Sequence, residues 1–234
     1  MQVAKPKKGY KLAKWYYGKN IEIPEEWDMS TIGKIGKYIN GFAFKPSDWK
    51  RQGVPIIRIQ NLTDESESFN YYDKPFAKIN EINKDDLLIS WSASLDIFKW
   101  NRQRAVLNQH IFKATPNKNI DRSFFYFAVS ERIQDMKKMI HGSTMQHITK
   151  KPFLDTLLPL PSLPEQKQIA YILSNVDDTL QKTNQIIEQT QRLKKGMMQK
   201  LLTRGIGHTK FKKTKLGEIP EKWEVKLLDD VLKL

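Results

Sequence analysis

Short apolar runs broken by turn residues give way, about two thirds of the way along the chain, to one long helical stripe. Val54-Pro-Ile-Ile-Arg-Ile59 reads as a strand because β-branched residues dominate it. Asp85-Asp-Leu-Leu-Ile-Ser-Trp91 reads as another, entered through an acidic turn. Ala105-Val-Leu107 and Ile111-Phe-Lys-Ala114 supply further strand pieces, and Gly41-Phe-Ala-Phe-Lys-Pro-Ser47 is a turn-rich loop. From Ser123 to Ile140 the spacing of Phe124, Phe127, Ala128, Glu131, Ile133 and Met136 is helical, with Ser123 as the expected N-cap. Residues 1–160 are therefore expected to form an α+β domain.

Beyond residue 160 the period changes. Pro159-Leu-Pro-Ser-Leu-Pro164 reads as extended chain, and a helical pattern then covers 164–203. Pro164 suits a first helical turn, Glu165 complements the positive end of the dipole, and Lys194, Lys195, Lys200 and Arg204 complement the other. Gly205 is the expected stop. One stripe alternates four and three residues apart through Ile169, Leu173, Val176, Leu180, Thr183, Ile187, Thr190, Lys194, Met197 and Leu201. That is a heptad seam, diluted by Thr and Lys. Such a helix is roughly 55 Å long. The reading it favours is a coiled coil against a second copy of the same helix; a core helix of a single domain is the other.

Ile23-Pro-Glu-Glu-Trp27 recurs as Ile219-Pro-Glu-Lys-Trp223. Self-similarity at that distance points to a duplicated unit, so residues 210–234 read as the incomplete start of a second repeat.

Charge narrows the partners. The formal net charge is +14 and the pI about 9.7, which calls for an anionic partner. Nucleic acid fits better than a membrane surface, because no basic amphipathic helix carries a Trp/Phe face. From Gln189 to Gly217 there is no acidic residue, while Arg192, Lys194, Lys195, Lys200, Arg204, Lys210, Lys212, Lys213 and Lys215 all fall there. Lys45, Lys50 and Arg51 flank Trp49, and Lys99, Arg102 and Arg104 flank Trp100. Basic residues interleaved with aromatics suit a surface that tracks phosphates; a solvated lysine-rich face is the plainer account of each run. The chain has no cysteine, which excludes disulfides, Cys-based zinc sites and a Cys nucleophile and fits a reducing cytoplasm. The basic N-terminus leads into no apolar run, so no signal peptide is expected, and no stretch of about 18 apolar residues marks a membrane span.

Catalytic constellations are missing from the pattern. His110, His141, His147 and His208 lack metal-ligand spacing. No glycine-rich phosphate cradle occurs, and no Asn-Pro-Pro-aromatic tetrad of an adenine methyltransferase. The acidic residues of Pro220-Glu-Lys-Trp-Glu-Val-Lys226 stand too close together for a nuclease site. Asp85, Asp86, Asp177 and Asp178 suit a turn and a helix face better than acid–base chemistry.

These strings, in this order, resemble the specificity subunits of type I restriction-modification systems. Ile23-Pro-Glu-Glu-Trp27 is similar to the family's opening of a target-recognition domain. Gly41-Phe-Ala-Phe-Lys-Pro-Ser-Asp-Trp49, Gly53-Val-Pro-Ile-Ile-Arg-Ile-Gln-Asn-Leu62, Asp86-Leu-Leu-Ile-Ser-Trp-Ser-Ala-Ser94 and Leu107-Asn-Gln-His-Ile111 follow in family order. Gly142-Ser-Thr-Met-Gln-His-Ile148 closes the domain, and Leu160-Pro-Ser-Leu-Pro-Glu-Gln-Lys-Gln-Ile-Ala170 opens the helix. The resemblance implies a non-catalytic chain that reads half of a split double-stranded DNA target. It implies long helices that pair antiparallel as a spacer and dock methyltransferase (M) and restriction (R) subunits. S-adenosylmethionine, ATP and Mg²⁺ would belong to those partners, with no cofactor in this chain.

A full family member carries two recognition domains and two long helices; this chain reads as one of each plus the opening of a second domain. A homodimer through Ile169, Leu173, Val176, Leu180, Ile187, Met197 and Leu201 is therefore expected. Candidate DNA contacts, chosen as hydrogen-bonding side chains in the family-like loops, are Lys45, Arg58, Asn61, Ser92, Ser94, Arg102, Arg104, Ser143, Thr144 and Gln146. Arg58 serves equally as an internal ion-pair partner, and Trp91 suits the core better than a sugar contact. A coiled-coil assembly protein, a nuclease and a free DNA-binding regulator are the competing classes.

Overall fold

The computed structural model describes residues 6–15, 19–91, 94–140 and 149–232. The chain divides into two compact units, Met1–Ser174 and Asn175–Leu234.

The first unit opens with a hairpin, β1 (Tyr10–Lys14) against β2 (Asn20–Pro24). Strand β3 (Asp28–Thr31) and a single helical turn, α1 (Ile32–Ile35), lead into β4 (Gly36–Asn40). Next come β5 (Val54–Ile57), α2 (Ile59–Thr63), β6 (Asn70–Tyr72), β7 (Glu81–Ile82), β8 (Leu87–Ser90), β9 (Asp96–Lys99), β10 (Ala105–Leu107) and β11 (Ile111–Pro116). They build two four-stranded sheets, ordered β6-β5-β10-β7 and β4-β11-β8-β9. Only β5 and β10 run parallel; every other pairing in these sheets is antiparallel. The expected strand at 54–59 stops at Ile57, and Arg58 turns the chain into α2.

Burial explains why β8 is apolar without alternation: both of its faces are covered. Leu87 and Ile89 join the core that Phe112, Phe125 and Phe153 dominate. Leu88 joins a second core, shared by the two sheets, with Ile57, Ile82, Trp100, Leu107 and Ile111. Helix α3 (Arg122–Ile140) lays Phe124, Phe125, Val129, Ile133 and Met136 on the first core. Its cap is Asp121 rather than the expected Ser123. The Asp121 Oδ1 accepts from the backbone N–H groups of Ser123 and Phe124, both at 2.9 Å, so Ser123 sits inside the first turn. The short helix α4 (Lys150–Leu154) and strand β12 (Leu157–Leu160) follow, and β12 pairs antiparallel with β3, from Leu157 opposite Thr31 to Leu160 opposite Asp28. The segment read as extended chain is thus partly a strand.

Helix α5 runs from Leu163 to Arg204. Gln166 and Ala170 are buried in the first unit, and Ile169 packs against its main core. Among the described residues no helix is long and apolar enough to cross a membrane.

The second unit holds the rest of α5, a hairpin of β13 (Phe211–Thr214) and β14 (Gly217–Pro220), and the turn α6 (Leu228–Val231). Gly205 ends α5 at φ 61°, and its N–H donates to Leu201 O at 3.0 Å. The repeated string recurs as structure. Trp27 N–H donates to Pro24 O at 3.0 Å, and Trp223 N–H to Pro220 O at 2.9 Å. Glu25 N–H donates across the first hairpin to Gly9 O, and Glu221 N–H across the second to Lys210 O. A single helical turn follows each tryptophan at the same offset. The copies differ in cover: Ile32 and Ile35 are buried, whereas Leu228 and Val231 are exposed.

Candidate nucleic-acid interface

The sequence-expected contacts divide into groups with different fates. Lys45 is exposed at the entry to a tight turn, where its backbone N–H donates to Asp48 Oδ2 at 3.0 Å. That bond, reinforced by the Lys74 ammonium 3.2 Å away, holds the Asp48 carboxyl below its ordinary range. Beside it the Arg58 guanidinium lies 5.5 Å over the Trp49 ring. No ion pair to Arg58 occurs among the described residues, so the stack on Trp49 replaces the internal salt bridge weighed for it. Lys50, Arg51, Gly53, Tyr72 and Lys74 line an open cavity of about 560 Å³ next to this turn. Arg58 thus covers one face of an exposed tryptophan, and Lys50 and Arg51, which follow that tryptophan in sequence, line the adjoining cavity.

Asn61 does not stand with them. It is 2% exposed. Its Oδ1 accepts from Arg58 N–H at 3.1 Å, and its Nδ2 donates to Ser68 O at 3.1 Å and Glu67 O at 3.4 Å. Both ends of the amide are engaged within the chain, so the side chain braces the α2 loop.

At the other end of α2, Arg102 stacks over Phe69 at 5.6 Å and Trp100 at 5.8 Å. Lys99 lies 4.4 Å over Tyr126. Trp100 itself is core, 3% exposed, its indole N–H held by Gln103 O at 2.7 Å. The aromatic therefore backs the cations instead of offering a stacking face. Lys99, Arg102 and Tyr126 share a cavity of about 290 Å³ with Asn61, Leu62 and Glu65.

Arg104 is engaged elsewhere. Its guanidinium pairs with Glu81 at 2.8 Å and covers the Phe76 ring at 5.2 Å. Arg104 in turn holds the Glu81 carboxyl below its ordinary range, with help from Asn83. Ser94 is half-buried, and its carbonyl accepts from the Ser90 hydroxyl. Ser92, Ser143, Thr144 and Gln146 lie outside the described residues.

Sequence reasoning took His110 for a surface or hydrogen-bonding residue and gave Asn108 no role beyond its place in the family-like string. They occupy the loop joining β10 to β11, and hence one sheet to the other. Asn108 N–H donates to Ile57 O and Gly41 N–H to Ile111 O, both at 3.0 Å. His110 sits at φ 70°, its ring edge-on to Trp91 at 4.8 Å. The Asn108 Oδ1, His110 Nδ1 and Trp91 Nε1 atoms are buried without a hydrogen-bond partner. Trp91 also stacks on Phe112 at 5.8 Å, the packing role expected of it. Among the described residues no group of His or carboxylate side chains could hold a metal ion.

On α5 the seam lies open. Leu173, Val176, Leu180, Ile187, Met197 and Leu201 are all exposed, from 38% at Leu173 to 57% at Leu180, whereas Ile169 is half-buried against the core. These apolar side chains share the seam with Thr183, Thr190 and Lys194.

Residues 24–192 match the family described as the type I restriction modification DNA specificity domain. The chain is 34% identical over 222 residues to the type I restriction enzyme MjaVIII specificity subunit of Methanocaldococcus jannaschii, covering 91% of this chain and 50% of that protein. To the EcoBI specificity subunit of Escherichia coli it is 27% identical, covering 91% and 48%. It thus spans about half the length of the curated relatives it matches. Among solved structures it is similar to the HsdS subunit of Thermoanaerobacter tengcongensis, with a TM-score of 0.55 at 18% identity over 82% of this chain and 47% of that one. It is also similar to a chain solved in work on complex assembly and conformational transition of the type I R-M system, with a TM-score of 0.58 at 18% identity over 77% and 46%. These likenesses support the α+β fold with its appended long helix, and the family match spans both parts: the chain belongs to the type I restriction modification DNA specificity domain family.

Proposed function

We propose that this chain is a non-catalytic, sequence-reading part of a type I restriction-modification complex, its α+β domain contacting one half of a split DNA target. The observation that carries this is the family match across 24–192, which spans the domain and most of the long helix together. The charge of +14 and the cations gathered at Trp49 and Trp100 support a phosphate-tracking face. Lys45, Arg58 and Arg102 keep their place as contacts. Arg104 acts through Glu81 and Phe76, and Ser92, Ser94, Ser143, Thr144 and Gln146 remain expectations of sequence. M and R subunits would assemble on the helix and bring S-adenosylmethionine, ATP and Mg²⁺ with them, in the cytoplasm.

The helix would pair with a second copy of itself, antiparallel and centred on Gln185. In that register every seam position meets another: Ile169 with Leu201, Leu173 with Met197, Val176 with Lys194, Leu180 with Thr190 and Thr183 with Ile187. The flanking charges agree, with Asp178 opposite Arg192 and Glu188 opposite Lys182. A parallel pair would set the basic run from Arg192 to Arg204 against itself, which repels.

The test is co-purification with M and R subunits, followed by mapping of adenine methylation on DNA. Methylation at a split, symmetric motif supports both the reading role and the homodimer. Association without any methylated motif counts against the reading role. No association at all removes the proposal.

A further inference from the structure

Phe42 is 49% exposed, at the start of the turn-rich loop that ends in Trp49. A lone exposed ring is ordinary; its mount is not. Phe42 N–H donates to Leu107 O at 2.8 Å, and Phe42 O accepts from Gln109 N–H at 2.9 Å and from Phe44 N–H at 3.1 Å. One residue earlier, Gly41 N–H donates to Ile111 O at 3.0 Å, and Gly41 lies so close to the Asn108 carbonyl that a Cβ would strike it. The ring rests edge-on against Phe44, with centroids 5.0 Å apart, and Phe44 is buried on Ile56 and Val106. Backbone and ring are both held, so the side chain gives up little freedom when something covers it.

The surroundings of the mount are polar and cationic. Phe42 is bridged to Asn108 on one side, and on the other the parallel register of β10 with β5 sets Asn108 beside Arg58. Adjacent strands lie about 4.8 Å apart, so the backbones of Phe42, Asn108 and Arg58 form a row about 10 Å wide. Asn108 Oδ1 and Arg58 Nε are buried without a hydrogen-bond partner. Buried polar atoms are ordinarily paired, so the row carries hydrogen-bonding capacity that the folded chain leaves unused. Arg58 covers Trp49, and Lys45 is exposed three residues beyond Phe42. Lysine is depleted from protein–protein interfaces, whereas a polyanion is drawn to it. An apolar ring on a rigid mount among cations has the form of the side chains that DNA-bending proteins press between base pairs.

We propose that Phe42 is a wedge: it enters double-stranded DNA at a base step, partly unstacks that step and kinks the duplex, while Lys45 and Arg58 hold the flanking phosphates. This rests on the reading that the α+β domain contacts one half of a DNA target. Every base step offers ring faces, so the wedge carries little base identity of its own. It makes the site depend instead on how easily a step opens, which favours pyrimidine–purine steps.

The test uses the assembled complex and a duplex of about 30 base pairs that carries the motif found by methylation mapping, with a fluorophore at each end to report bending. Phe42→Ala is expected to remove at least about 20° of bend and to weaken binding at least about fivefold. The slope of log affinity against log salt should not change, because no phosphate contact is lost. Phe42→Leu keeps apolar bulk and is expected to keep the bend. Both variants retain every backbone bond of the mount and are expected to fold, which Tm checks; Phe42→Gln, polar at similar length, should behave as Phe42→Ala and stands in for it if truncation lowers Tm. A bend undiminished in Phe42→Ala or Phe42→Gln overturns the wedge, and so does a Phe42→Leu complex as straight as the Phe42→Ala one. Loss of assembly with M subunits in a folded Phe42→Ala chain makes the ring a protein contact and overturns it as well. Absence of any methylated motif with the unsubstituted chain overturns the underlying reading of function instead.

Discussion

Replacing Asn61 with Ala should unfold before it unbinds. The side chain satisfies three backbone groups, the N–H of Arg58 and the carbonyls of Ser68 and Glu67. A typical hydrogen bond contributes about 1 kcal/mol net, and a buried group left without a partner costs about 1–3 kcal/mol. Arg58 N–H and Ser68 O at 3.1 Å count in full and the 3.4 Å bond to Glu67 O for less, so a loss of about 3 kcal/mol is expected. For a chain of this size that lowers Tm by roughly 6–12 °C. Asn61→Asp should cost at least as much near neutral pH, because it keeps the acceptor for Arg58 but turns a carboxylate toward two carbonyls. The assay is urea unfolding beside a salt titration of DNA binding, with Lys45→Ala as the contrast. Lys45 is exposed, so its removal should leave stability within about 0.5 kcal/mol and lower the slope of log affinity against log salt by about 0.9. Asn61→Ala with unchanged stability and lost DNA binding would refute the reasoning and return Asn61 to the base-reading set.

Gly41→Ala should misfold or lose at least about 3 kcal/mol, since an added Cβ would clash with the Asn108 carbonyl oxygen, which is backbone and cannot swing aside; soluble yield and Tm decide. The turn at 45–48 should loosen in acid. Asp48 has a depressed carboxyl, so its contribution is present above the ordinary Asp range and lost as pH falls through the lower folded value. The Lys45 amide resonance should report that transition, and Asp48→Asn should abolish it. Leu180→Asp, in the middle of the open seam, should weaken helix pairing at least tenfold by sedimentation while leaving the Tm of the α+β domain unchanged; an unaltered self-association would count against the seam.

Helix α5 was legible in sequence to within a residue or two at each end, because apolar residues hold most positions of its four-three seam and Pro164 and Gly205 punctuate it. The strands at 87–90, 105–107 and 111–116 were legible as apolar runs. Their arrangement into two sheets was not, since β5 pairs with β10 across some fifty residues and no local pattern encodes that partner. Base-contact candidates fared unevenly for a physical reason. Residue type tells what a side chain can donate or accept, not whether the fold has already used it. Asn61 and Arg104 both suit a nucleic acid by chemistry and are both engaged within the chain. Gln166 was quoted only within the string that opens the helix; its burial depends on Asp121 and Pro161 meeting there.

The pairing of β3 with β12 brings Thr31 opposite Leu157. Everything from residue 32 to 156, both large sheets included, leaves and re-enters through one two-stranded stem. Chain ends held side by side are what make a domain insertable elsewhere. In engineering terms the stem makes the intervening residues a cassette. An exchange cut at these two strands would replace the whole surface around Trp49 and Arg102, while Trp27 and Glu165, which lie outside the cut, stay together. Asp121 lies within it. An incoming cassette therefore has to bring its own helix cap to meet Gln166, and that single amide is the fitting against which any graft would be judged.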